Sequence, residues 1–200
     1  MFRGSLPSSA TAIIHAIAKE WPCAAVYVGC AGNFTVERAA LHGLPFETHS
    51  NDVTLYSCVI GAYLAGQAFP IRVREEHEAE FGWLREHIAD PPGAIATIML
   101  CTRLLDGWGK ENAYYQRMNG AYRAQWAELW KKTREKVAAT PLRLATFHAG
   151  DVVDWVGTVP AAAGFICFPP FFSGDYESLF GKLDKIVKQI AAFEPTISGL

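Results

Sequence analysis

The sequence predicts an α/β fold with a doubly wound parallel sheet, on the strength of three observations. Residues 24–28 are a short apolar run that ends in glycine, which is typical of a buried parallel strand. This strand is followed by a glycine loop, a predicted helix at 34–42 and a second predicted strand at 45–50. The two strands and the helix between them make a βαβ unit. Strand patterns then return at 142–147 and 164–167, so we expect further strands of the same sheet.

The middle of the chain has a different character. Residues 74–88 are strongly charged, 94–105 are apolar and predicted helical, and 110–138 have the periodicity of one long amphipathic helix. A final basic amphipathic helix is predicted at 176–192. We therefore expect an α/β core with a helical insertion, divided into a first core half (1–70), the insertion (71–140) and a second core half (141–200).

Composition excludes several classes of protein. The 200 residues are 50% hydrophobic, which excludes a disordered chain. The formal net charge is −2, so nucleic acid could be bound only by a local basic patch. No apolar run approaches the roughly 20 residues that span a bilayer, and the N-terminus lacks the apolar core of a signal peptide. The five cysteines are scattered and the histidines show no paired-ligand spacing, so we expect a cytoplasmic protein without a metal site.

Two segments in the first half carry candidate chemistry. In VYVGCAGNF, Gly29 and Gly32 bracket a tight loop, which is either a ligand loop or a structural turn. Asp52 stands near the end of the second predicted strand, where nucleotide-binding α/β folds place a carboxylate on the ribose hydroxyls. The alternative reading makes Asp52 the N-cap of the next helix.

Two further segments lie in the second half. In HAGD, Asp151 follows a predicted strand, so it either points into a ligand crevice or belongs to an ordinary turn. In FICFPPFF, two prolines fix an extended corner among aromatic residues. Such a corner can stack a planar base, although an aromatic cluster is also ordinary core.

The four segments together resemble the S-adenosylmethionine-dependent DNA methyltransferases that modify the exocyclic amine of adenine, including phage proteins described as antirestriction adenine methyltransferases. The resemblance implies a Rossmann-like class I methyltransferase core with a helical insertion for DNA recognition. It implies S-adenosylmethionine as cofactor, held by residues of FRGSL, YVGCAGNF, SND and HAGD: Arg3, Gly4, Tyr27, Gly29, Cys30, Gly32, Asn51, Asp52 and Asp151. Within that set, Asp52 would bind the ribose and Asp151 the adenine amine.

FPPF resembles the catalytic loop of the family, which begins with a polar residue whose oxygen accepts a hydrogen bond from the target amine. Here that position is Phe168, whose side chain cannot accept a hydrogen bond. The catalytic candidates are Phe168, Pro169, Pro170 and Phe171, with Asp175 as a replacement carboxylate. The chain ends one helix after this loop, where the family adds strands, so we expect either a minimal or truncated core or a second chain that completes the sheet.

The predicted insertion carries a local excess of positive charge. Residues 110–136 hold seven basic and three acidic side chains, a net charge of +4. We expect the DNA to be double-stranded, and the candidates for contact with it are Arg123, Lys131, Lys132 and Arg134. The alternative is a solvated helix face of mixed charge.

Two functions follow from these patterns. The first is methyl transfer from S-adenosylmethionine to a DNA base amine, most simply adenine, in protection of phage DNA. The second is a catalytically weakened protein of the same fold that binds cofactor or DNA in an antirestriction or structural role, which Phe168 favours.

Overall fold

The computed structural model describes residues 6–169 and 175–189. These residues form two compact units, each assembled from separate stretches of chain. The first unit comprises residues 6–68 and 141–169, and the second comprises residues 69–140 and 175–189.

A four-stranded parallel sheet organises the first unit. Its strands are β1 (Ala25–Gly29), β2 (Glu47–Asp52), β4 (Thr146–Ala149) and β5 (Gly164–Cys167). They lie in the order β4-β2-β1-β5, and each neighbouring pair is parallel. The chain therefore runs outward from β1 through β2 to β4, and returns to the opposite side of β1 with β5. The predicted α/β class is confirmed, and the sheet is compatible with a Rossmann-like fold.

One face of this sheet carries the apolar core of the unit. Val28 is level with Ser50 on β2 and Ile166 on β5, and Ser50 is level with Phe147 on β4. The helices α1 (Ser8–Lys19) and α2 (Leu55–Leu64) and a π-helical turn (Val36–Ala40) belong to the same unit. The buried core cluster joins β1 and β5 to α1 and the π-helical turn: Ala18, Val26, Val28, Val36, Ala40, Leu41 and Ile166.

The opposite face carries a row of aromatic side chains. Tyr27 stacks on the ring of His49, with centroids 4.4 Å apart, and is level with Phe165 on β5. Trp155, from the short helix α7 (Val152–Val156), lies 5.6 Å from the Tyr27 ring. Burial lowers the pKa of His49, so the stacked imidazole favours its neutral form.

The second unit is mainly helical. Its helices are α3 (Glu78–Phe81), α4 (Pro91–Asp106), α5 (Ala113–Ala124), α6 (Trp126–Ala138) and α8 (Asp175–Ile186), with 3₁₀ turns at Glu75–His77 and Gly82–His87. The strand β3 (Ile71–Val73) pairs antiparallel with β6 (Val187–Gln189). In the part of the chain that the structure describes, no helix is both long and apolar enough to cross a bilayer.

Two helices differ from the sequence prediction. The single helix expected at 110–138 is broken at Gln125, directly before Trp126, which is the only buried residue of α5 and α6. The final helix ends at Ile186 rather than continuing to 192, because residues 187–189 pair with β3 and alternate in burial as a strand does. Pairing with a distant strand overrides local helical periodicity there.

We expect Gly61→Ala to destabilise the protein, because a Cβ at Gly61 would lie 2.2 Å from the ring of Phe147. Overpacking of this kind costs about 1–3 kcal/mol of unfolding free energy. That cost exceeds the stability that a helix gains when alanine replaces glycine. The matched control is Gly120→Ala on α5, where a Cβ meets nothing within 4 Å. The control should gain about 0.5–1 kcal/mol. Chemical denaturation midpoints measure both, and a rise for Gly61→Ala would contradict this packing.

Candidate functional site

The predicted ligand segments meet at the carboxyl edge of the sheet. Gly29 at the end of β1 is level with Cys167 at the end of β5, and Asp52 at the end of β2 is level with Ala149 at the end of β4. Open α/β sheets bind ligands outside the carboxyl ends of their strands, where the strand order reverses. In this sheet the reversal lies between β1 and β5, beside the glycine loop.

The glycine loop has an unusual backbone. Cys30, Gly32 and Phe34 have φ values of 55°, 54° and 54°, in the left-handed region. For Cys30 and Phe34, which carry a Cβ, this conformation costs roughly 1–2 kcal/mol each. Residues in such conformations cluster at ligand sites, because the surrounding structure must hold them there. The loop is therefore a candidate binding element as well as a turn.

The carboxylate of Asp52 holds this loop in place. Its Oδ2 accepts a hydrogen bond from the backbone N of Gly32 (2.8 Å), and its Oδ1 accepts from Val53 N, Thr54 N and Thr54 Oγ1 (2.8–2.9 Å). The side chain is buried, and burial raises the pKa of Asp52. The hydrogen bonds to the carboxylate act in the opposite direction but do not cancel this effect. The N-cap of α2 is Thr54, which accepts from Ser57 N. The reading of Asp52 as the cap is therefore wrong.

Asn51 ties the ends of β2 and β4 together. Its Nδ2 donates to His148 O (3.1 Å) and Gly150 O (2.7 Å), and Gly150 N donates to Asp52 O (3.0 Å). Asn51 Oδ1 is buried and has no hydrogen-bond partner among the described residues. Asp151 follows as the N-cap of α7 and accepts from Val153 N (2.8 Å). The structure thus brings SND and HAGD to one place.

The end of β5 also reaches the glycine loop. Cys167 Sγ lies 3.9 Å from Cys30 Sγ, and burial raises the pKa of both thiols. A Cβ at Gly29 would lie 2.8 Å from Val152 and 3.0 Å from Cys167 Sγ, so this close approach requires glycine. Beyond β5, Phe168 is 44% exposed and Pro169 is exposed.

Other predicted site residues are placed elsewhere or are outside the described residues. The ring of Tyr27 lies on the sheet face against His49, so its side chain has a packing role there. Asp175 is the first residue of α8, and its side chain is not among those described. Four predicted residues lie outside the described residues: Arg3, Gly4, Pro170 and Phe171.

The sequence interpretation missed a buried pair that joins the π-helical turn to β2. Ser50 Oγ donates to Glu37 Oε1 at 2.6 Å, while Glu37 Oε2 is buried without a partner among the described residues. Burial raises the pKa of the Glu37 carboxyl to about 7, with a smaller contribution from Asp52. The sequence offers little signal for this pair, because Glu37 stands beside Arg38 in a segment of mixed polarity, FTVERAALH.

The predicted DNA contacts in the second unit have different surroundings. Arg123 lies over the ring of Trp83, 4.8 Å from its centroid. Lys132 pairs with Glu128 (2.6 Å) and Arg134 with Asp90 (3.3 Å), whereas Lys131 is exposed.

The order of the four parallel strands makes the first unit an α/β structure that is compatible with a Rossmann-like fold. The family model described as Phage DNA Adenine Methylase-like domain 1 matches residues 2–189. The chain belongs to this family, and the resemblance to DNA adenine methyltransferases is confirmed. No curated protein and no solved structure matches the chain.

We expect the contribution of Glu37 to the free energy of unfolding to fall as pH rises from about 5 to about 7, because folding raises the pKa of this carboxyl to about 7. The protonated carboxyl is favoured in the native state, so its contribution is complete below the unfolded pKa and lost as pH passes the folded value. The loss is on the order of a few kcal/mol. Glu37→Gln should remove it, as measured by urea denaturation at several pH values. If the unfolding free energy changed with pH to the same extent in the wild type and in Glu37→Gln, this role of Glu37 would be contradicted.

Proposed function

We propose that this protein transfers a methyl group from S-adenosylmethionine to the exocyclic amine of adenine in DNA, in protection of phage DNA. The observation that carries the proposal is the convergence of four segments at one edge of the sheet. Each segment lies at the carboxyl end of a strand or directly after it: Gly29–Gly32, Asn51–Asp52, Gly150–Asp151 and Cys167–Pro169. Membership of the adenine methylase-like family supports the chemistry.

The residues at this edge fit a nucleoside cofactor in their hydrogen-bonding capacity. Among the described residues, Asp52 Oδ2 accepts one hydrogen bond, from Gly32 N, which leaves a lone pair for a ribose hydroxyl. Asn51 Oδ1 is a buried acceptor that has no partner among the described residues. Asp151 supplies a third acceptor, suited to an adenine amine. Gly32, in a left-handed conformation and without a Cβ, lets a ligand approach the loop backbone closely.

When bound, S-adenosylmethionine supplies a methyl group attached to positively charged sulfur. The chain must then hold the target amine in line with that methyl group. It must also accept a hydrogen bond from the N–H of that amine. The carbonyl of Pro169 is the acceptor that this loop retains. Phe168 contributes no acceptor, and Phe171, the residue proposed to stack on the target base, lies outside the described residues. Positioning and electrostatics would supply the rate.

DNA would be held by the basic residues of the second unit: Arg123, Lys131, Lys132 and Arg134. Because β4 and β5 are the edges of the four-stranded sheet, a second chain could extend it at either strand. Phe168 favours a second candidate function, a weakened methyltransferase that binds cofactor or DNA without turnover. The two functions share the cofactor site and differ in methyl transfer.

Replacement of Asp151 by alanine should weaken S-adenosylmethionine binding at least about tenfold, through loss of a hydrogen bond to a charged group. Asp154→Ala, in the first turn of the same short helix, is the matched control and should bind as the wild type does. Isothermal titration calorimetry measures the affinities, and thermal unfolding corrects for loss of the α7 cap. Absence of binding by the wild-type chain at millimolar cofactor would overturn the proposal.

We expect slow methylation by the wild-type chain and faster methylation by Phe168→Asp. Loss of one preorganised hydrogen bond at a reacting group costs about a hundredfold to a thousandfold in rate, and the aspartate restores an acceptor. Phe168→Leu is the apolar control and should stay slow. The assay is incorporation of tritiated methyl groups into mixed-sequence duplex DNA. If neither the wild type nor Phe168→Asp transfers methyl groups while both bind cofactor, the binding function replaces the catalytic one.

A further inference from the structure

The helix α5 (Ala113–Ala124) is unusual in that none of its residues is buried. One stripe of half-buried side chains attaches it to its own unit. Tyr122 Oη donates to Leu100 O (3.3 Å), and Tyr115 lies under the ammonium group of Lys110 (4.1 Å). Asn119 packs against Gly107. The remainder of the helix surface faces solvent.

The solvent-facing side has a composition suited to nucleic acid. It carries Arg117 and Gln116, with Tyr114 58% exposed and Met118 53% exposed. The helix contains two arginines and no acidic residue. Arginine and glutamine are the side chains that pair with purine edges through two hydrogen bonds in the major groove.

The surroundings of Arg117 leave its guanidinium available. Its Nε makes a long contact with Ala113 O (3.4 Å) in the preceding turn. Among the residues that the structure describes, no carboxylate lies within ion-pair distance of it. At Gly120, one turn further along the helix, a Cβ would meet nothing within 4 Å, so no side chain among the described residues lies that close to this point of the helix.

The helix α6 (Trp126–Ala138) differs in this respect. Two of its cations already pair with carboxylates of the protein, Lys132 with Glu128 and Arg134 with Asp90. Lys131 remains exposed as a point charge, which suits phosphate rather than base recognition.

We propose that α5 enters the major groove of double-stranded DNA and that Arg117 reads a base edge there, while Lys131 of α6 contacts phosphate. The major groove, about 12 Å wide, admits an α-helix. The inference rests on the proposed function in that DNA is the substrate. It goes further by separating the residue that sets sequence preference from the one that supplies charge.

The test is selection of bound duplexes from a randomised pool by the full chain, without cofactor, followed by sequencing. We expect the wild type to enrich a DNA sequence motif. In Arg117→Ala, the preference for one base over the others should fall at least about tenfold at one or two positions of that motif. Arg117→Lys should lose the same preference with an unchanged salt dependence, because it keeps the charge and loses the planar fork. Lys131→Ala should select the wild-type motif with weaker binding and a shallower salt dependence.

Three results would overturn the inference: a wild type that enriches no motif, an Arg117→Ala protein that selects the wild-type motif, or a change from dimer to monomer in Arg117→Ala by sedimentation. The last would show that the exposed side of α5 binds a second copy of the chain. Circular dichroism melting checks that each variant folds. Because the selection uses no S-adenosylmethionine and the calorimetry uses no DNA, failure of base reading and failure of the cofactor site are separate results.

Discussion

The structure of the candidate site depends on one buried carboxylate. Asp52 accepts hydrogen bonds from the glycine loop on one oxygen and from the start of the α2 segment on the other. An isolated charge at this depth would be costly, and the four donors offset part of that cost, since the pKa of Asp52 remains raised by burial. The glycine loop, the end of β2 and the cap of α2 are consequently one hydrogen-bonded assembly. Loss of this one carboxylate would remove hydrogen bonds from both the loop and the start of α2.

The strained backbone of the glycine loop is a consequence of that assembly. Ala31 N donates to Asn51 O (2.9 Å), and Ser57 Oγ donates to Gly32 O (2.8 Å), so the loop is fixed between the end of β2 and the first turn of α2. These contacts hold Cys30 and Phe34 in left-handed conformations that neither residue favours alone. A preformed loop lowers the entropy that a ligand must remove on binding.

Much of the first unit could be predicted from sequence because its signals are local. The apolar run before Gly29 and the acid at Asp52 each identify a strand and its end. The other features depend on partners distant in the chain. Ser50 and Glu37 are each ordinary residues until β2 and the π-helical turn bring them together. The break at Gln125 precedes a tryptophan that packs against Trp83 and His87, a contact that periodicity does not contain.

The discontinuous second unit has a consequence for synthesis on the ribosome. Val73 of β3 pairs with Val187 of β6, about 110 residues later, and Arg74 Nε donates to Asp184 O (2.7 Å). At roughly 5–20 residues per second, β3 waits about 5–20 s for its partner strand to be made. During that time α4 lacks its neighbour α8, and Leu105 O lacks the lysine donor Lys182. The nascent chain therefore passes through an interval in which apolar helix surface is unprotected, and a chaperone that binds such surface would act before residue 189 is translated.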